Sequence, residues 1–375
     1  MTKPAEFGTF FLPGPTEVRA EVLEAMMHPM LPHRGKEYEA LHARIVHGLQ
    51  SVFRTQRPVY LMSCSATGAM EMAVRGAPEG PILSLVNGAF AERFARIAQA
   101  CDRETRVLSV PLGDTPHLEQ VEEALVQGGV DGEPFVAITV VHSESSTGAL
   151  TDIQSITELA HRHGAMCLVD SVTGIAGTRV ETDTWGVDFI LTGSQKALAL
   201  PPGLAFAVAS EAYVLQASVA PSRGRYLDVV EYEEFARRSQ TPNTPALSLL
   251  FAADAQLATI RKEGIETRWA RHADMLRRTE GWVEQMKAKG LGIGFLCRAG
   301  ERSPTVSTLT LPDEMKGTAI VKRVGELGFV IGTGYGALKD KTIRIGHMGD
   351  HSVDTLERCL GVIEMAVGSH KQAMT

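Results

Sequence analysis

From about Pro58 to Asp170 the chain alternates short apolar runs with amphipathic stretches: VYLMS then ATGAMEMAV, PILSLV then AFAERFARIAQA, RVLSV then HLEQVEEALV, FVAITVV then DIQSITELAHRH, and finally AMCLVD. Short apolar runs predict strands, and stretches with apolar positions three and four apart predict helices. Their alternation is the pattern of βαβ units, and so of a mostly parallel sheet. Several runs are apolar throughout, as a strand must be when helices cover both faces of its sheet. Two further runs, VDFILTG and GLAFAVAS, predict strands on either side of Lys196.

Beyond Pro245 the periods lengthen. ALSLLFAADAQLATIRKEG and ETRWARHADMLRRTEGWVEQMKAKG predict two long helices, each ending at a glycine. The remainder, with TVSTLTL, GTAIVKRVGELG, FVIG, KTIRIG and DTLERCLGVIEMA, predicts a small α+β unit. The expected division is an N-terminal arm and large unit over 1–262 and a small unit over 263–375. No fixed-period repeat is visible.

Composition narrows the function. A chain of 375 residues with 44% hydrophobic and 22% charged residues is that of a globular protein with room for two cores. A net charge of −7 without a basic run gives counterion release from nucleic acid little to act on, so the expected partner is a small molecule. The five cysteines are scattered and never form Cys-x-x-Cys, which argues against a disulfide framework and a zinc site. No metal is expected. The N-terminus lacks a basic start followed by an apolar stretch, no run reaches the ~18 apolar residues of a membrane span, and Gln372 to Thr375 match no organelle address. A cytoplasmic protein with no membrane partner is the expectation.

The candidate chemistry gathers where predicted strands end. Asp170 closes AMCLV, at the strand edge where open α/β sheets bind ligands; a turn former or helix cap is the alternative. Lys196 lies between VDFILTG and the apolar ALALPPG. Desolvation there disfavours its ammonium form and frees the amine for a Schiff base, whereas an isolated lysine is ordinarily a surface residue. Ser63 to Gly68 open a helix with small and hydroxylic residues, the makings of a phosphate cup or of an ordinary cap. His142 to Gly148 follow FVAITVV with four hydroxyls, and Thr151 or Asp152 can cap the helix beyond. Phe90 opens another helix at this edge and can cover an aromatic ring or belong to the core. Arg344, inside the apolar strand KTIRIG, can clamp a carboxylate or form a structural ion pair.

With these residues in order, the chain resembles the alanine–glyoxylate and serine–glyoxylate branch of the class V aminotransferases. The likeness runs from Pro13-Gly14-Pro15 to the final helix and is most specific at Gly193-Ser194-Gln195-Lys196-Ala197 followed by Pro201-Pro202-Gly203. It implies the type I fold of enzymes that use pyridoxal 5'-phosphate (PLP), with a seven-stranded, mostly parallel sheet between helices and a smaller C-terminal α+β domain. It also implies transfer of an amino group from a small amino acid, alanine or serine, to glyoxylate, with a ureidoglycine–glyoxylate or aminoethylphosphonate aminotransferase as the alternative within the class.

Position by position, the resemblance makes Lys196 the residue that carries PLP and moves the proton, and Asp170 the partner of the pyridine nitrogen. Ser65, Ala66 and Thr67 cradle the phosphate with Gln195 beside them; Ala66 stands where many relatives have glycine. Phe90 stacks on the ring, Val172 packs its other face, and Ser145 lies near the ring oxygen. Gly14 and Arg344 bind the substrate carboxylate. Thr241 or Thr244, in Gln240 to Pro245, reaches the phosphate of the neighbouring subunit in a homodimer with shared active sites.

Two rivals are weaker. A cysteine desulfurase, which shares the fold, has a histidine where Gln195 stands and a mobile catalytic cysteine, and Cys297 in GFLCRAGERS does not resemble that loop. A dinucleotide site at Gly332 to Gly336 lacks the Rossmann spacing and leads into a strand, so a loop over the active site is the better expectation. His161 and His163, two apart at a helix end, do not share a face as metal ligands would.

Overall fold

The computed structural model describes residues 6–221 and 223–374; the first five residues, Ser222 and Thr375 lie outside, and with them part of both terminal address expectations. Seven strands form the larger sheet in the order Tyr60–Met62, Ala205–Ala209, Phe189–Gly193, Met166–Asp170, Ala137–Val141, Ile82–Val86, Thr105–Ser109. The expected α/β architecture and each strand read from the alternating pattern are present. The last five strands in this order pair in parallel, and Ala205–Ala209 pairs antiparallel with both its neighbours. Tyr60–Met62 therefore runs in the same direction as the parallel set, and six carboxyl ends share one edge.

Helices Ala66–Gly76, Ala89–Ala100, Leu118–Gln127 and Ile153–Arg162 fall in the predicted stretches. Asp152 caps the last of these by accepting from Ser155 N at 3.2 Å. Strands Phe189–Gly193 and Ala205–Ala209 are buried along their whole length, which explains their unbroken apolar sequence. The polar exceptions inside the sheet satisfy each other: Thr139 Oγ1 donates to Ser84 Oγ on the adjacent strand at 2.8 Å.

The pattern of Lys36–Phe53 is amphipathic, with Tyr38, Leu41, Ile45, Leu49 and Val52 turned into the larger core. Leu247–Glu263 and Ile265–Ala288 are the two long helices, separated at Gly264, whose φ of +84° ends the first. A second sheet of five strands runs Phe10–Phe11, Val330–Thr333, Thr342–Ile345, Ser307–Thr310, Gly294–Phe295 and has its own apolar core with Trp282, Met286, Ile343 and Leu360. Its first strand comes from the N-terminal arm and pairs in parallel with Val330–Thr333. Among the described residues, no helix is long and apolar enough to cross a membrane.

Candidate active site

At the shared carboxyl edge lies a cavity of about 100 Å³ lined by Ser65, Ala66, Thr67, Phe90, Ser145, Asp170, Val172, Gln195 and Lys196, with Met70, Arg93, Val141, Ser143 and Thr173 completing the wall. Every predicted ring or phosphate residue is here except Thr241 and Thr244. They converge because strands ending at one edge deliver consecutive loops to one place.

Lys196 sits in the connection between Phe189–Gly193 and its antiparallel neighbour, 7% exposed, with Nζ donating to the Pro13 carbonyl. Burial, and next the nearby Arg344 cation, push its amine down to about 8. Gln195 O accepts from Thr16 N at 2.9 Å, so the N-terminal arm ties to the lysine turn on both sides of Pro13-Gly14. Gly14 has φ +134° and abuts the Lys196 stem, leaving no room for a side chain.

Asp170 is 1% exposed. Burial raises its carboxyl to about 7, against the pull of the Val172 N–H it accepts at 2.8 Å and of Lys196. The turn-former reading thus holds in part, but one backbone bond leaves this buried carboxylate in need of a cation.

At the cup, Ser65 occupies the N-cap of Ala66–Gly76 in extended conformation yet makes no side-chain capping bond. Gly68 N donates to Ser65 O at 2.9 Å, so the N–H groups of Ala66 and Thr67 and the helix dipole are left for an anion, with the Thr67 hydroxyl alongside. Gly193 brings Gln195 close to Ala66: a Cβ on it would meet Gln195 Oε1 at 2.8 Å and Ala66 Cβ at 3.4 Å.

Residues 142–149 are all buried, so the hydroxyl-rich run faces inward and is not the polar surface its composition resembles. Arg344 Nε donates to Thr333 O at 2.8 Å and Nη1 to Ser145 O at 2.9 Å. No salt bridge engages it among the described residues; two carbonyls brace its guanidinium, and the buried Glu144 acts on it through space. Tyr335, on the Gly332 to Gly336 loop, lies 5.7 Å from the Arg344 guanidinium and 5.9 Å from the ring of Phe90, which lines the cavity.

Thr241 and Thr244 do not line this chain's cavity. Thr241 is buried, its hydroxyl donates to Asn243 O at 2.8 Å and lies 3.3 Å from Tyr38 Oη, and Arg34 holds its carbonyl at 2.6 Å. Thr244 is exposed. The segment is fastened near the cup by Ser63 Oγ, which accepts from Ala246 N at 2.9 Å.

Sequence reasoning passed over Glu144 and Arg93. Arg93 follows Phe90 by three residues, one helical turn, and lies 4.9 Å from that ring, a spacing readable in advance. Glu144 is fully buried, and two of its four hydrogen bonds come from the backbone of Phe90 and Ala91, far away in sequence, which no local pattern signals. Of the cysteines, Cys297 is buried, donates to Thr147 O, and burial pushes its thiol up to about 12, the reverse of a reactive thiolate.

The family described as aminotransferase class-V matches residues 10–334. An uncharacterized aminotransferase of Methanocaldococcus jannaschii is 35% identical over 363 residues, 95% of this chain and 91% of that protein. A serine–glyoxylate aminotransferase of Arabidopsis thaliana is 30% identical over 95% of this chain and 89% of its own. The solved alanine–glyoxylate aminotransferase of a Nostoc species superposes with a TM-score of 0.87 at 27% identity, covering 98% of this chain and 97% of that one.

Proposed function

Because the chain belongs to the class V aminotransferases, we propose that it transfers the amino group of alanine or serine to glyoxylate, giving glycine and a 2-oxo acid. Its cofactor is pyridoxal 5'-phosphate. The donor set fits that group: a cup at the start of Ala66–Gly76 for the phosphate, Phe90 and Val172 for the ring faces, Asp170 for the pyridine nitrogen, and Lys196 to hold it covalently through Nζ. Bound there, it supplies an electron sink for the bonds at the substrate's Cα.

The observation that carries the reading is Lys196 and Asp170 lining one cavity, each pushed by burial toward its neutral form. A lysine near 8 has a share of free amine at neutral pH, so Nζ can take the proton from Cα and return it. Arg344 would bind the substrate carboxylate, with Gly14 packed on the Lys196 stem, and so would orient the bonds at Cα. Asp170 holds a proton on the ring nitrogen. Glyoxylate as acceptor rests on the whole-length likeness to two glyoxylate aminotransferases.

The same reading makes the enzyme a homodimer in which the 241–244 segment of each chain serves the phosphate cup of the other. It divides each chain into an arm and large unit, 1–262, and a small unit, 263–375. A panel of alanine, serine, ureidoglycine and an aminophosphonate as donors, with glyoxylate and then pyruvate, tests the substrates. Fastest glycine formation from alanine or serine is expected, with none from Lys196→Ala. No glycine from any donor overturns the acceptor.

A further inference from the structure

Beside the cavity, between its wall residues Ser143 and Ser145, lies a buried carboxylate that the steps above do not use. Glu144 is 0% exposed and its carboxylate accepts four hydrogen bonds. Phe90 N and Ala91 N donate to Oε2 at 3.0 Å each; Ser146 N and Ser146 Oγ donate to Oε1 at 2.9 and 2.6 Å. Ser146 Oγ also accepts from Ala89 N at 3.0 Å. The first three N–H groups of helix Ala89–Ala100, whose N-cap Gly88 has no side chain to offer, are thus bound by the 144–146 loop. The packing is close: a Cβ on Gly88 would lie 2.5 Å from Glu144 Cδ and 2.6 Å from Ser146 Oγ.

The two ends of this link are functional neighbours. At one end is Phe90, the aromatic wall of the cavity. At the other is Ser145, whose carbonyl is one of the two braces of Arg344. We propose that Glu144 is a positioning residue: its carboxylate fastens the Phe90 helix start to the loop that braces Arg344, so that the ring face and the carboxylate clamp keep one fixed relation. This rests on the roles given above to Phe90 and Arg344. Reaction depends on the angle between the Cα bond and the ring, so a link that sets clamp against ring face acts on kcat more than on KM. Its charge also acts on Lys196, raising the amine together with Asp170, against burial, Arg344 and Arg93.

The test compares Glu144→Gln and Glu144→Asp with the wild-type holoenzyme, using any oxo acid that the wild type accepts, so that the choice of acceptor does not enter the ratios. An amide has one acceptor oxygen where the link uses two, and aspartate is one methylene too short to reach both sides. Both variants should bind cofactor and lose about tenfold in kcat per bound cofactor, with the donor KM within about threefold of wild type. Only Glu144→Gln should move the pH midpoint of the cofactor's visible band, toward acid by about half a unit, because only it removes the charge. Wild-type kcat per bound cofactor in Glu144→Gln, or an unmoved midpoint in that variant, overturns the proposal. If Glu144→Gln does not fold, Ser146→Ala, which removes one of the four donors and the acceptor of Ala89 N, should lose about threefold in kcat per bound cofactor, and no loss there overturns it.

Discussion

Gly14 rests on the stem of Lys196: a Cβ built on it would stand 2.6 Å from Lys196 Cε, and its φ of +134° is one that other residues adopt only under strain. Gly14→Ala must therefore displace either the N-terminal arm or the lysine. We expect kcat/KM to fall by about tenfold or more, about 1.4 kcal/mol, while far-UV circular dichroism stays unchanged, since the arm carries little of either core. Steady-state kinetics alongside the spectrum check both halves.

Asp170 costs the cofactor-free protein stability. Its carboxyl, near 3.8 when unfolded, sits at about 7 in the folded chain. Between those values the folded state holds a proton that the unfolded state has lost, so stability falls as pH rises from about 4 to 7, and the penalty persists above. Asp170→Asn removes it. Cofactor-free Asp170→Asn should melt higher than cofactor-free wild type at pH 8, with the gap closing toward pH 4. The same variant should lose roughly 100-fold in kcat, since a neutral amide cannot hold the ring nitrogen protonated. Equal melting temperatures at pH 8 would count against a buried, penalised carboxylate.

Arg344→Lys tests the clamp. An ammonium cannot reach Thr333 O and Ser145 O together and still face a carboxylate with two parallel donors. One lost charge-assisted bond, about 1.5–3 kcal/mol, predicts a rise of roughly 10- to 100-fold in KM for the amino donor. Cofactor colour should be untouched. A donor KM within twofold of wild type would refute the assignment.

Thr241 and Thr244 should separate cleanly. The Thr241 hydroxyl is occupied inside its own chain, so Thr241→Val should cost about 1 kcal/mol of stability and little cofactor affinity. Thr244 is exposed, so Thr244→Val should leave the melting temperature alone and weaken cofactor binding if a second chain places it at a phosphate. Titration with PLP and thermal melts of the two variants distinguish them, and sedimentation velocity reports whether the second chain is present.

The large sheet was legible because its strands, apart from the edge strand Thr105–Ser109, are buried on both faces and so written as largely apolar runs, from ILSLV to AFAVA. Once the strand ends were placed, Asp170, Lys196 and Ser65 followed, since one edge collects them all. Phe10–Phe11 was not legible: two residues carry no period, and their partner strand begins 320 residues later in the chain. Glu144 stood in a motif that was read for its hydroxyls, and its role comes from backbone N–H groups 53 and 54 residues away. The threonines at 241 and 244 are ambiguous for another reason, because the surface that would choose between them belongs to a second copy of the chain.

The arm strand Phe10–Phe11 and the strand of Arg344 belong to one sheet, joined through Val330–Thr333, and Gly346 N donates to Phe11 O at 2.8 Å. Gly14 and Arg344 therefore ride on the same rigid plate, although 330 positions separate them in sequence, while Lys196 is rooted in the other sheet. A tilt of the plate would have to break the bonds from Thr16 N to Gln195 O and from Lys196 Nζ to Pro13 O, and would then lift the floor and the clamp from the lysine together. Admission of an amino acid and exposure of the Lys196 amine to water then become one mechanical coordinate, and a tether between the two sheets would slow both by the same factor.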